Sequence, residues 1–183
     1  MTHQNIFTPQ YTDFSGPGST FDFSAPYRHF VEAFLREHRT EVKTVLDLGC
    51  GDGVVASNID WQGTKYHGYD VIAERVQKNR VLYPHLEFDH ADLRTVPLDA
   101  DLVLCKDVIQ HWSTPEVADW VLTLKSVRYA LITNCAYDPV NGDIGTGGWR
   151  SIDLTKPPFS IGKVVFSWGD RRKDIVLIEG SRA

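Results

Sequence analysis

The sequence has few cysteines, no disulfide pattern and no long apolar run. Its three cysteines are spread over 183 residues without any CxxC spacing, which excludes a zinc knuckle and a disulfide framework. Unpaired thiols are typical of a reducing compartment, so we expect a cytoplasmic protein. No apolar run approaches the length of a membrane span, and the first residues contain no apolar signal core. We therefore expect no membrane partner.

The sequence also lacks an excess of basic residues. It has 19 Lys and Arg against 24 Asp and Glu, a net charge of −5, whereas a nucleic-acid surface usually needs a basic face. One basic cluster, Arg171 to Lys173, is typical of a solvated turn. A length of 183 residues suits one domain, residues 1–183, with a substantial core. These properties argue against a nucleic-acid partner.

The pattern of apolar residues predicts alternating helices and strands. Residues 1–25 are rich in Gly, Pro, Ser and aromatic residues, and they predict an irregular N-terminal arm or lid. From Tyr27 to Leu35 the apolar residues recur at helical spacing, and short β-branched runs then alternate with helical stretches. This alternation predicts an α/β fold with a mostly parallel sheet covered on both faces. The predicted strands are KTVLDLG, TKYHGYD, LEFDHAD, DLVLCKD and RYALITNC.

The C-terminal part departs from this alternation. Residues 136–162 show no helical period, and a long loop beside a compact sheet is more often functional than idle, so we expect it to bind substrate. Two strands, KVVFSW and KDIVLIEG, follow and are joined by GDRR, which predicts a C-terminal β-hairpin.

Upstream of this region, Ser113 and Glu116 stand at capping-box spacing and predict the start of a helix.

The most informative motif is VLDLGCGDG at residues 45–53, where a strand runs into three glycines. Backbone N–H groups in such a turn face a ligand. A dinucleotide fingerprint needs glycine where Val54 stands, and the carboxylate of Asp47 would repel a pyrophosphate, which argues against an NAD-type oxidoreductase. The same carboxylate suits a cofactor that carries an ammonium group and no phosphate, such as S-adenosylmethionine.

Two further acids follow the next two predicted strands. Asp70 ends the second strand, where a carboxylate can bind both hydroxyls of a ribose. Asp92 follows the third strand and is placed for the exocyclic amine of adenine. Because ligands bind at the carboxyl ends of the strands in an open α/β sheet, the three acids together predict a nucleoside site there.

With these motifs the sequence resembles the class I S-adenosylmethionine-dependent methyltransferases, from about Tyr27 to the end. VLDLGCGDG is similar to the first motif of the family, Tyr69–Asp70 to the second and Ala91–Asp92–Leu93 to the third. The resemblance implies a Rossmann-like, seven-stranded, mostly parallel sheet with an antiparallel last strand, and methyl transfer that leaves S-adenosylhomocysteine (SAH). One departure is that no helix is predicted between the fifth strand and the hairpin, where the family usually has one. The residues expected to bind the cofactor are Arg28, Asp47, Gly49, Cys50, Gly51, Asp70, Val71, Asp92, Leu93 and Lys106.

The fourth predicted strand ends in CKDVIQHW, residues 105–112. We expect His111 to act as the general base, with Asp107 as its partner or as an anchor for substrate. The alternative, that His111 only positions the acceptor, stays open. Related O-methyltransferases bind a divalent ion through Glu-x-x-Glu-His, but neutral Gln110 replaces the second carboxylate here, so no metal is expected.

The predicted acceptor is a small molecule that is methylated on an oxygen or nitrogen atom, such as a sugar, an aromatic compound or a peptide-derived metabolite. Two alternatives stay open. One is an RNA or tRNA methyltransferase that uses the Arg171–Lys173 turn, and the other is a non-catalytic subunit that binds S-adenosylmethionine. The sequence also leaves the oligomeric state open. The residues expected to contact the acceptor are Trp112, Asp143, Trp149 and Arg150.

Overall fold

The computed structural model describes residues 3, 5–7, 15–138 and 140–181, which form two compact units that divide between Pro97 and Leu98. The strands of the described residues are β1 (Thr44–Leu48), β2 (Lys65–Asp70), β3 (Glu87–His90), β4 (Leu102–Lys106), β5 (Tyr129–Cys135), β6 (Lys163–Trp168) and β7 (Lys173–Glu179). They belong to one seven-stranded sheet of order β3-β2-β1-β4-β5-β7-β6. The predicted α/β fold, with a mostly parallel sheet and an antiparallel last strand, is confirmed.

In the first unit, three strands pair in parallel. β1 lies beside β2 with Asp47 opposite Gly68, and β2 lies beside β3 with Asp70 opposite His90. Asp70 is the last residue of β2 and Asp47 the last but one of β1, so both carboxylates lie toward the carboxyl ends of their strands. The helices of this unit are α1 (Ala25–Glu37), α2 (Val54–Ser57) and α3 (Ala73–Leu82).

The helix α1 confirms the predicted apolar face. Tyr27, Val31, Phe34 and Leu35 are buried, and their spacing of three or four residues places them on one side of the helix. Burying each side chain of this size stabilises the fold by about 1.5–3 kcal/mol. The helix therefore serves to cover the core of the first unit.

The N-terminal arm is partly helical. Residues 3 and 5–7 are helical, and the rings of His3 and Phe7 meet edge to face with centroids 5.6 Å apart. Residues four apart share one helix face, which lets these two rings pack. The prediction of an irregular arm over residues 1–25 is therefore wrong at these positions. Residues 8–14, which include the first part of the predicted lid, lie outside the described residues.

In the second unit, β4 and β5 pair in parallel, with Lys106 opposite Thr133, and both strands are buried along most of their length. β7 runs antiparallel to β5, and β6 antiparallel to β7. The C-terminal hairpin is thereby confirmed. Cys105 is buried inside β4, as its apolar neighbours predict.

The helix α4 (Thr114–Thr123) begins where the sequence predicts it. The Ser113 amide donates to Glu116 Oε2 at 3.0 Å, and the Ser113 side chain accepts from the backbone of Glu116, so the capping box is complete. Within the described part of residues 136–162 there is no helix, as predicted. Among the described residues no helix is both long enough and apolar enough to span a bilayer.

Candidate functional site

The first unit carries the glycine loop, residues 49–53, between β1 and α2. Gly49, Gly51 and Gly53 have φ angles of 88°, 61° and 74°, a region that strains any residue with a Cβ. The amides of Gly49 and Cys50 donate to the carbonyl of Tyr69 at 2.8 and 3.0 Å, which fixes the loop against the end of β2. The glycines expected to bind the cofactor thus lie in one tight turn.

Asp70 holds this loop from the end of β2. Its Oδ2 accepts from the Gly51 amide and its Oδ1 from the Ile72 amide, both at 2.9 Å. Burial raises the pKa of Asp70, although the backbone hydrogen bonds and Arg75 oppose the rise. Because each carboxylate oxygen has two lone pairs, both oxygens can accept a further hydrogen bond from a hydroxyl.

Asp47 lies in β1, and its Oδ2 accepts from the hydroxyl of Tyr66 at 2.9 Å. Gly68 leaves room for this contact, since a Cβ at that position would stand 2.5 Å from the Tyr66 hydroxyl oxygen. Burial, with Asp47 as the next cause, raises the pKa of Tyr66, so its hydroxyl stays a donor. Sequence reasoning missed Tyr66 and Gly68, although strand alternation places residues 66, 68 and 70 on one face.

The charges around the loop fit the predicted cofactor. Burial raises the pKa of the Cys50 thiol, and the carboxylates of Asp70 and Asp47 raise it further. Two carboxylates therefore lie close to the same loop residue. Such a pair disfavours a pyrophosphate and suits a group that presents an ammonium and hydroxyls.

The carboxylate of Asp92 is hydrogen-bonded by Arg94, two residues further along the chain. Its two carboxylate oxygens accept from Nε and Nη2 of Arg94 at 3.0 and 2.6 Å, and these bonds lower the pKa of Asp92. Leu93 is buried and Val71 is half-buried. Contact between Asp92 and adenine stays a prediction, and Arg94 would share the carboxylate.

Arg28 links the described arm to the end of α2. It is buried, its Nη1 donates to the carbonyl of Asn58 at 3.1 Å, and its Nη2 donates to the carbonyl of Phe21 at 3.0 Å. Its guanidinium also lies over the Phe21 ring, 4.2 Å from the centroid. These contacts give Arg28 a structural function in this unit, and binding of the cofactor carboxylate stays a prediction.

The arm also contacts the glycine loop directly. The Asp52 amide donates to Ser15 Oγ at 2.8 Å, and the Ser15 amide donates to Asp52 Oδ2 at 3.4 Å. A Cβ on Gly51 would stand 2.5 Å from Ser15 Oγ, so the two segments are in close contact. Sequence reasoning missed the Ser15–Asp52 pair, which spans 37 residues. The arm therefore covers part of the loop, and its function as a lid stays a prediction.

The second unit carries the His111 turn, residues 107–112, which follows β4 and contains a 3₁₀ segment, Ile109–His111. His111 Nδ1 lies 2.8 Å from the carbonyl of Gly148, which can only accept, so Nδ1 is the donor. A neutral ring with its hydrogen on Nδ1 has its basic lone pair on Nε2. Burial lowers the pKa of His111, although the Gly148 carbonyl and Asp107 oppose it, which favours the neutral ring at neutral pH.

Asp107 lies between two lysines. Lys106 Nζ is 2.6 Å from Oδ2, and Lys173 Nζ contacts Oδ1. Burial acts to raise the pKa of Asp107, but the two lysines outweigh it and lower the pKa, so the carboxylate is charged. Lys106, expected at the cofactor, is thus buried against Asp107. Sequence reasoning missed Lys173, which is 66 residues away along the chain.

Arg150 clamps the loop of residues 140–151 to the His111 turn and to α4. Its Nη1 donates to Thr114 Oγ1 at 2.7 Å and to the Gly142 carbonyl at 2.8 Å, and its Nη2 donates to the Trp112 carbonyl at 2.9 Å. The side chain is buried, and burial lowers its pKa. These contacts make Arg150 a structural clamp, and contact with the acceptor stays a prediction.

Two other residues expected at the acceptor serve the structure of this unit. Trp112 is 1% exposed and packs edge to face against Trp120, with centroids 5.5 Å apart, so it is a core residue. Asp143 is exposed, and its Oδ1 accepts from the Thr114 amide at 3.0 Å at the start of α4. That hydrogen bond lowers the pKa of Asp143 and keeps it a charged helix cap.

Trp149 presents an aromatic surface. Its side chain is 47% exposed, and it packs against Tyr137 with ring centroids 5.9 Å apart and an interplanar angle of 32°. It follows Gly148, whose carbonyl accepts from His111. The exposed ring is therefore one residue from the partner of the predicted base. Tyr137 was not predicted, because only the folded loop brings it to Trp149.

A metal site is not apparent in this part of the molecule. In the described ranges, no group of three or more His, Cys, Asp or Glu side chains is arranged to hold an ion. Gln110 is buried, and its Oε1 accepts from the Cys135 amide at 3.3 Å. Gln110 thus braces the His111 turn against β5.

The sequence matches the model of a family described as "Methyltransferase domain" over residues 22–133, more than half of the chain. The chain belongs to the methyltransferase-domain family. A relative in Mycolicibacterium smegmatis, a probable S-adenosylmethionine-dependent methyltransferase, is 32% identical over 87 residues. This match covers 46% of the methyltransferase described here and 34% of the relative, so the chain matches only about a third of that protein.

Solved structures agree on the fold. The magnesium protoporphyrin IX methyltransferase of Synechocystis PCC 6803, solved with bound SAH, has a TM-score of 0.67 at 18% identity, over 85% of this chain and 83% of that one. A protein of Pyrococcus horikoshii OT3 has a TM-score of 0.63 at 15% identity, over 91% of this chain and 97% of that one. The predicted class of enzyme, a class I methyltransferase, and its cofactor, S-adenosylmethionine, are confirmed at the level of the family.

Proposed function

We propose that this methyltransferase transfers a methyl group to an oxygen or nitrogen atom of a small molecule that presents a planar ring or a sugar face. The candidate acceptor residues, His111 and Trp149, both lie in the second unit. The observation that carries the proposal is the exposed Trp149 ring, one residue from the carbonyl that orients His111.

The glycine loop, Asp70 and Asp47 are the residues of the first unit that would hold the cofactor. Asp70 can accept the ribose hydroxyls while it keeps the Gly51 and Ile72 amides. Asp47, half-buried beside Tyr66, would supply negative charge toward the ammonium group. S-adenosylmethionine supplies an already activated methyl group on a sulfonium and leaves as SAH. The protein must therefore align an acceptor, exclude water and handle one proton.

The His111 turn can handle that proton. The Gly148 carbonyl fixes the ring through Nδ1, so Nε2 is the nitrogen that takes a proton from an acceptor hydroxyl or ammonium. Burial lowers the pKa of His111 and keeps the ring unprotonated before the reaction. When the bound cofactor gives up its methyl group to the acceptor atom, Nε2 of His111 would hold the proton that the acceptor loses.

The aromatic pair explains why a ring or a sugar face is the favoured acceptor. Trp149 and Tyr137 present π faces, and stacking on such faces tolerates many planar or apolar ligand surfaces. We therefore assign the acceptor contact to Trp149, with Tyr137 as its support.

RNA is less favoured as an acceptor because the basic turn is used within the protein. Arg172 Nη2 lies 2.7 Å from Asp174 Oδ2, and Lys173 contacts Asp107. Of the triplet Arg171–Lys173, two members therefore bind carboxylates of this chain. The turn does not provide the run of cations that phosphate contacts need.

The proposal is tested by following the methyl group. The protein is incubated with S-adenosylmethionine labelled in the methyl group and, in parallel, with a small-metabolite extract and with total RNA. We expect label in the small-molecule fraction. Label that moves only into RNA would reverse the choice of acceptor. Tight SAH binding without transfer to either fraction would favour the non-catalytic alternative.

The base is tested separately with His111→Ala. Loss of general-base catalysis is expected to lower kcat by about 100-fold or more, while SAH affinity measured by calorimetry stays the same. His29→Ala is the matched control, because His29 is exposed on α1. If the kcat of His111→Ala stays within about twofold of that of the unaltered protein, His111 is not the general base.

A further inference from the structure

The ion cluster of Lys106, Asp107 and Lys173 joins the end of β4 to the start of β7 in the second unit, at the start of the His111 turn. Lys106 ends β4, and Asp107 follows it. Lys173 begins β7, where the antiparallel register places it opposite Cys135 at the end of β5. The side chains of the two lysines are only 7% and 6% exposed. Burying a lysine is unfavourable unless it is paired, and here two buried lysines share the single carboxylate of Asp107. We therefore expect the cluster to have a function beyond stability.

The backbone of Asp107 is in an uncommon conformation. Its φ is 60°, in the left-handed region that a residue with a Cβ adopts at an energetic cost. Its amide donates to the Thr133 carbonyl at 2.8 Å, and both carboxylate oxygens contact lysine. Such backbone strain persists where the surroundings impose it, and it concentrates at functional sites. Here Lys173 fixes the residue from which the His111 turn departs.

The same cluster acts electrostatically on His111. Burial is the largest cause that lowers the pKa of the ring, the negative charge of Asp107 raises it, and the positive charge of Lys173 lowers it. The loop presents the Gly148 carbonyl to the ring. Lys106 lowers the pKa of Asp107. Burial raises the pKa of the nearby Cys135 thiol, so that thiol stays uncharged. Asp107 and Lys173 thus have opposite effects on one ring.

We propose that Lys173 is a positioning residue for methyl transfer. It fixes Asp107 at the start of the His111 turn and offsets the negative charge of that carboxylate, so that the His111 ring stays neutral and oriented. This inference rests on the proposed function, in which His111 is the base. It adds a residue of the last strand to the acceptor half of the enzyme.

The test is an NMR titration of the His111 ring, which needs no acceptor. The seven histidines are labelled at the ring carbon, and His111→Gln identifies the signal of interest. Lys173→Met removes the positive charge, so the midpoint of the His111 titration should move to higher pH. Asp107→Asn removes the negative charge, so the midpoint should move to lower pH. Lys173→Arg, which keeps the charge, should leave the midpoint close to its original value.

If the salt bridge only held the turn together, either variant would loosen the turn and expose the ring, and both midpoints would move to higher pH, because burial is the largest cause that lowers the pKa of His111. Lys163→Met is the matched control, because Lys163 lies on the same hairpin and pairs with Glu179 at the surface. Where Lys173→Met does not fold, Lys173→Gln keeps a donor to Asp107 without the charge and should give the same upward shift. Unchanged midpoints, or shifts in one direction for both Lys173 and Asp107 variants, would overturn the inference.

Failure of the proposed function gives a different result. If His111→Ala keeps full transfer activity, the base assignment falls, whatever the titration shows. If His111→Ala is inactive but the Lys173 variants leave the His111 titration unchanged, only the positioning function of Lys173 falls.

Discussion

The glycine loop of the first unit and the His111 turn of the second are held by different kinds of contact. In the loop, backbone groups dominate: three glycines at positive φ, two amides on the Tyr69 carbonyl and one amide on Asp70. In the turn, side chains from distant segments dominate. His111 reaches Gly148 over 37 residues, Arg150 reaches Trp112 over 38, and Lys173 reaches Asp107 over 66.

This difference teaches where each half of the enzyme can vary. A loop held by its own backbone needs particular residues at fixed spacing, because only glycine adopts these φ angles without strain. A turn held by distant side chains needs only partners of suitable length and charge. The glycine loop is therefore confined to a short motif, whereas the His111 turn can change together with the 140–151 loop that contacts it.

The largest expected effect is at the glycine loop. Asp70→Ala removes the proposed acceptor for two ribose hydroxyls and leaves the Gly51 amide without its carboxylate. Hydrogen bonds to a charged group contribute about 1.5–3 kcal/mol each, so SAH affinity should fall by roughly 100-fold or more in a calorimetric titration. Asp89→Ala changes a half-exposed aspartate of β3 that pairs with Arg80, and this control should bind SAH normally. Equal affinity for both variants would refute the assignment of Asp70.

The next effect tests the side-chain clamp of the acceptor half. Arg150→Met keeps much of the apolar stem but removes three hydrogen bonds to Thr114, Gly142 and Trp112. The free energy of unfolding in urea should fall by about 2 kcal/mol. Arg171→Met changes an exposed arginine and should alter it little. If both variants unfold at the same urea concentration, the clamp does not stabilise the loop.

A smaller effect is expected at the start of α4. Ser113→Ala removes the side-chain half of the capping box, while Glu116 still accepts from the Ser113 amide. The loss of such a cap lowers the free energy of unfolding by about 1 kcal/mol. Ser126→Ala, beyond the end of the same helix, is the comparison. A thermal unfolding series would show whether the cap at Ser113 contributes more.

The smallest effect is expected at Lys163. Its salt bridge with Glu179 is exposed, with side chains 61% and 56% accessible. Lys163→Met should change the free energy of unfolding by about 0.5 kcal/mol or less, because solvent screens exposed pairs. A high salt concentration should remove the remaining contribution of this pair to the free energy of unfolding. A loss comparable with that of Arg150→Met would mean that surface charge contributes as much as the clamp.

The features that the sequence predicts are those set by near neighbours. Strand and helix alternation, the glycine loop, the Ser113 capping box and the terminal hairpin all depend on residues within a few positions of one another. Their patterns can therefore be recognised without a structure. The same locality explains why the ends of the strands, and with them Asp47 and Asp70, could be predicted.

The contacts of the acceptor half could not be predicted for a physical reason. An arginine or lysine can point to solvent or into the protein, and the choice depends on which segment lies opposite. For Lys173 that choice follows from the register of β5 and β7, and for Arg150 from the course of the loop. Trp112 and Arg150 were expected at the acceptor because of their residue types, but both are buried within the unit.

The shared hydrogen bonds between α4 and the 140–151 loop make these two segments one cooperative element. Asp143 accepts from the Thr114 amide, Arg150 donates to Thr114 Oγ1, and Thr146 donates to Glu116. Neither segment can open without loss of the contacts of the other. Their protected amides should therefore exchange with solvent deuterium at one common free energy of opening. The backbone that carries the exposed Trp149 ring should therefore open as rarely as the helix α4, although Trp149 lies in a loop.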